Sequence, residues 1–143
     1  MTLLELLAFL ALTASLAGIA AFGFRDLGDR WLLGAAVRQV VLDLRIARVR
    51  SISEARAHRL RFTTASTTYQ PEARDDRREY TASGEARSLP EGVSVVECTG
   101  RNATIGFQPR GSASSFGTLK LRGRGGDTAE VVVDMVGRVR VRP

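Results

Sequence analysis

Cys98 and His58 are the only cysteine and the only histidine in the chain. An intramolecular disulfide is therefore impossible, and the clustered Cys/His spacing of a zinc site is absent. Cys98 lies in the apolar run Val93–Cys98 and reads as a small buried hydrophobe. His58 falls where a helical pattern gives way to a strand, and reads as a surface or junction residue. No paired carboxylates mark a cleft. The glycines of Gly123–Asp127 lack the spacing and the strand-to-helix setting of a phosphate loop, so they read as a hairpin turn. These residues argue against an enzyme and give no reason to expect a cofactor or metal.

Two groups with chemistry remain. Glu5 is the one charge before Arg25, and a carboxylate at the centre of a membrane span costs roughly 2.5–3.5 kcal/mol. Its natural partner is the α-amino group of Met1 in another copy; otherwise it sits in the headgroup layer. The second group is C-terminal, where Arg138, Arg140 and Arg142 alternate with Val139 and Val141. In an extended segment the arginines line one side, about 6–7 Å apart, and can meet successive phosphates of a nucleic acid. Lys120, Arg122 and Arg124 on a preceding strand would widen that patch. A solvated edge strand guarded by charge and a contact to a partner subunit are the other readings.

Both groups depend on the elements that carry them. From Leu6 to Phe24 the chain has no charge, close to the ~20 apolar residues of a spanning helix. No Lys or Arg precedes Arg25, unlike the basic start of a cleavable leader. The helical pattern continues to Ala57, which divides the chain into residues 1–24, the membrane or filament-core half of one long helix, 25–57, its amphipathic half, and 58–143, a β-rich head. With 143 residues, one head of modest size is expected. A net charge of +6 and a pI near 10.9 make polyanions plausible contacts.

In the amphipathic half, Leu33, Val37, Val40, Leu44, Ala47 and Ala55 recur at helical spacing and should face the head. Leu42, Ile46 and Val49 fall on the opposite side, a second strip available to helices of neighbouring copies or to covering loops. Charges between the strips, Asp43 and Arg48 among them, read mostly as solvated. The period changes to two at His58–Thr64. The polar stretch Ser66–Arg87 reads as an exposed hairpin region, with strand ends at Thr67–Gln70 and Glu79–Ala82. Strands follow at Val93–Cys98, Ala103–Phe107, Thr118–Arg122, Glu130–Val136 and Arg138–Arg142, and Gly111–Ser115 reads as a loop.

The start Met1-Thr2-Leu3-Leu4-Glu5-Leu6-Leu7 resembles the mature N-terminus of type IV pilins and type II secretion pseudopilins, with Met in place of the usual Phe. Arg48 to Ile52, Leu89-Pro90-Glu91-Gly92-Val93, Ile105 to Gly111 with its F-x-P-x-G element, and the terminal Gly137-Arg138-Val139-Arg140 extend the resemblance to the GspH/FimT family of minor pseudopilins and minor pilins. The resemblance implies an α+β ladle, a long N-terminal helix packed against an antiparallel β-sheet head. It also implies processing by a prepilin peptidase, residence in the inner membrane with the head in the periplasm, and assembly with copies of itself or other pilins and pseudopilins. A minor pilin of this kind would bind DNA during uptake. The competing class is a single-span membrane protein with an unrelated binding head. Small residues along the apolar half, Ala8, Ala11, Ala14, Ala17 and Gly18, suit close helix packing and favour the filament.

Overall fold

The computed structural model describes residues 2–142, and side chains except those of residues 19–27. One helix, α1, runs Leu3–Ser53. The expected boundary between residues 24 and 25 falls among side chains outside the described residues. Leu33, Ala36, Val37, Val40, Leu44 and Ala47 are buried, and the 3.6-residue period puts them on one face. The helix stops sooner than the expected Ala57. Glu54 caps it, and Ala55 takes a left-handed conformation at φ 51°, the position where glycine usually ends a helix. Ala55 is exposed rather than part of the buried stripe.

Among the described residues ten strands follow, in two antiparallel sheets. The first contains β1 (His58–Phe62), β2 (Thr68–Arg74), β3 (Tyr80–Ala82), β4 (Arg87–Ser88), β6 (Thr104–Phe107) and β7 (Ala113–Ser115), ordered β3-β2-β1-β6-β7 with β4 beside β2. The second contains β5 (Ser94–Cys98), β8 (Gly117–Arg122), β9 (Thr128–Val133) and β10 (Val139–Arg142), ordered β10-β9-β8-β5. Both cover the buried face of α1. Leu60, Phe62, Ile105 and Phe107 from one sheet, and Leu119, Leu121, Val131 and Val133 from the other, meet Val40 and Leu44 in one core. Each such side chain contributes roughly 1.5–3 kcal/mol by leaving water.

Three expectations need correction. The polar stretch after Ser66 contains a full strand, β2, pairing with β1 from His58↔Ala73 to Phe62↔Tyr69. Pro71 is tolerated because β2 changes partner there: β4 pairs Thr68 and Tyr69, and β3 pairs Glu72 to Arg74. The small residues Ala113–Ser115 form β7 against β6. Asp43, read as solvated, is buried beneath the head and accepts a hydrogen bond from the Tyr69 hydroxyl. Burial, and then that bond to a carboxylate, push the Tyr69 pKa far above the ordinary tyrosine value.

Candidate functional site

Helical periodicity places the second strip away from the core. Leu42 is 58% exposed, Ile46 38% and Val49 64%. Trp31 and Ile52, both exposed, extend this apolar arc at 100° per residue, an extension that the sequence reading did not include. Ile46 differs from its neighbours because it also borders a cleft of about 380 Å³ between α1 and β2, together with Asp43, Arg50, His58 and Arg87. His58 stands at the helix-to-strand junction, as the first residue of β1, but is buried there rather than on the surface, and its Nε2 lies 3.0 Å from Glu54 Oε2. Nearby, Glu72 is clamped at 2.6 Å by both Arg59 and Arg61, and Arg59 stacks on the Tyr80 ring.

The basic residues near the C-terminus divide into two sets. The register Arg142↔Glu130 in β10/β9, Lys120↔Glu130 in β8/β9 and Glu97↔Lys120 in β5/β8 puts these side chains on the outer face of the sheet, because directly paired residues share a face. Arg140 and Arg122 lie on the same face. The row therefore alternates in sign, and Lys120 Nζ is 3.8 Å from Glu130. Arg138 precedes β10; its N–H donates to Asp134 Oδ1 at 2.8 Å in the turn. Arg124 is not on the strand but in the β8–β9 hairpin, where it donates to Glu91 at 2.9 Å. The structure brings Arg140, Arg142, Lys120 and Arg122 onto one face, continues the row to Arg138 at the turn, whose carbonyl accepts from the Asp134 N–H, and leaves Arg124 off it.

The helix N-terminus holds Glu5 in its first turn, where a carboxylate complements the helix dipole. Its expected partner, Met1, lies outside the described residues. Side chains from Leu3 to Gly18 are exposed, and Thr13 and Ser15 donate their hydroxyls to the Phe9 and Ala11 carbonyls one turn back. Among the described residues no helix is long and apolar enough to cross a membrane; the expected span, Leu6 to Phe24, runs into residues 19–27, outside the described side chains.

Cys98 is partly buried, and burial pushes its thiol pKa up, the opposite of what a reactive thiolate needs. The sequence reading also missed a junction between distant motifs. Arg48 Nε donates to the Gly111 carbonyl at 2.9 Å, holding the Phe107–Gly111 loop against the end of α1. Gly137 packs on that same carbonyl and on the Phe107 ring.

Residues 36–137 match the family model described as type II transport protein GspH. Two solved structures of the minor pseudopilin EpsH from the type 2 secretion system of Vibrio cholerae share the fold. One has a TM-score of 0.64 at 12% identity, covering 77% of this chain and 95% of that one. The other has 0.62 at 11% identity, covering 79% and 94%. No curated protein matches the chain in sequence.

Proposed function

The chain belongs to the GspH family of type II transport proteins, and from that premise we propose that it is a structural subunit held in the inner membrane by the apolar half of α1 and then built into a pseudopilus-like filament. It has the α+β fold of a pseudopilin. One observation carries the proposal: a single helix bears two apolar surfaces that its own head leaves open. These are the residues from Leu3 to Gly18 and the strip of Leu42 and Val49. Such a helix suits lipid first and neighbouring helices afterwards, and the hydroxyls of Thr13 and Ser15 are already satisfied within it. The reading needs no catalysis. Its partners are other pseudopilins, including copies of itself, and a prepilin peptidase that trims and methylates at Met1.

In that filament Glu5 pairs with a neighbouring Met1 amine, which offsets part of the cost of desolvating both charges. Glu5→Ala is expected to leave membrane insertion intact and to reduce recovery in sheared filaments at least tenfold. Wild-type recovery would exclude the pairing.

DNA binding is the second reading, favoured by Arg140 and Arg142, which have no ion-pair partner among the described residues. Three phosphate contacts, with Arg138 supplying the third, give a log–log salt slope near −2.7. Arg138→Ala/Arg140→Ala in detergent-solubilised full chain is expected to flatten the slope by about 1.8. An unchanged slope, or no DNA affinity at low salt, removes this reading.

A further inference from the structure

Val141 lies on the helix side of its sheet, opposite the fully buried Val131, yet it is 50% exposed. The cause is a gap between the sheet edge and the helix. A groove of about 420 Å³ runs there, lined by Leu33, Gly34, Val37, Ala129 and Val141. Arg30 and Arg38 border it.

The groove lies beside an open backbone edge. β10 pairs with β9 alone. The Asp134 N–H donates to the Arg138 carbonyl, and antiparallel ladders alternate between bonded and non-bonded pairs. Arg138, Arg140 and Arg142 therefore face β9 with their backbone groups, while the N–H and C=O of Val139 and Val141 point outward. An edge of this kind is a template for another strand.

Charge selects the occupant. Arg30 is paired with Asp127 at 3.2 Å, whereas Arg38 and Arg140 form no ion pair among the described residues, and Arg142 stands across from Glu130, whose carboxylate lies 3.8 Å from Lys120. Pairing β10 with β10 of a second copy would bring arginines together, and like charges across a ladder repel. An acidic strand meets the opposite condition. Nucleic acid would satisfy the arginines, but it offers neither an apolar side chain for the groove nor amide groups for the edge.

We propose that β10 and this groove form a docking site for an extended segment of a partner protein in which apolar and acidic residues alternate. The segment adds to the sheet beside β10. Its apolar side chains enter the groove against Leu33, Val37 and Val141, and its carboxylates lie along Arg140 and Arg142, with Arg38 at the rim. The proposal does not depend on the DNA reading.

The probe is a short capped peptide alternating valine and glutamate, added to the full chain in detergent. Three comparisons accompany it: a valine–lysine peptide, a valine–glutamate peptide N-methylated along one edge, and single-stranded DNA. Gly34→Leu plugs the groove, since among the described residues an added Cβ meets, within 4 Å, the flexible end of Arg38 alone, at 3.4 Å. Its thermal midpoint confirms that the variant folds. The expected result is binding of the acidic peptide with slowed hydrogen exchange at the Val139 and Val141 amides, no binding of the lysine peptide, and a loss of at least about tenfold on either N-methylation or Gly34→Leu. No binding of the acidic peptide overturns the proposal. So does binding that is indifferent to both changes and is displaced by DNA, which is charge attraction alone.

Discussion

Gly137 is held at a position closed to other residues. Its φ is +84°, and an added Cβ would lie 2.6 Å from the Gly111 carbonyl oxygen and 3.4 Å from the Phe107 ring. Gly137→Ala meets both a left-handed backbone cost of roughly 1–2 kcal/mol and a backbone clash. We expect a loss of about 2–4 kcal/mol, read by denaturant unfolding of the purified chain. A loss below about 0.5 kcal/mol would show that the junction yields. At this scale the sequence was legible in type and not in contact. The F-x-P-x-G and G-R-x-R elements were visible, but a single sequence carries no signal that Gly137 rests on Gly111 or that Arg48 reaches the same carbonyl. Asp43 was misread for a related reason: a helix charge beside an apolar stripe is usually solvated, and only the position of Tyr69 on β2 makes this one buried.

Among elements, the long helix and most strands could be read because their periods are strong. Leu60 and Phe62 alternate with Arg59 and Arg61, and the buried positions of α1 recur every three or four residues. β2 was obscured by Gln70, Pro71 and Glu72, a polar stretch whose carboxylate is buried only because Arg59 and Arg61 close on it. β7 was obscured because Ala113–Ser115 has no side chain large enough to mark a face. The end of α1 was missed because alanine, rather than glycine, takes the left-handed position. Ala55→Gly relieves that conformation, offset partly by the greater freedom of glycine in the unfolded chain, and should stabilise the protein by about 0.5–1 kcal/mol. A rise in the thermal midpoint would bear this out, whereas a fall would mean that Ala55 is held by contacts that outweigh its backbone strain.

In the whole molecule, the head occupies one face of α1 over residues 33–53 and leaves Leu42 and Val49 on the opposite face exposed. The two faces could be separated in the sequence because both are apolar and about half a turn apart, and the exposures of Leu42 and Val49 against those of Val40 and Leu44 match that division. What covers the exposed face could not be read from the chain, since a loop and a neighbouring subunit leave the same pattern of residues. The central claim is that this face is the assembly surface, and Val49 tests it better than Ile46, which also borders the cleft beside His58. Val49→Asp places a charge on a side chain that is mostly solvent-exposed in the monomer, so stability should change by no more than about 0.5 kcal/mol. The same charge buried unpaired between helices would cost several kcal/mol. The direct measurement is recovery of the variant in sheared filaments, beside its thermal midpoint in detergent. The account predicts an unchanged midpoint with recovery reduced at least tenfold. Wild-type recovery, or a midpoint that falls together with recovery, would contradict it.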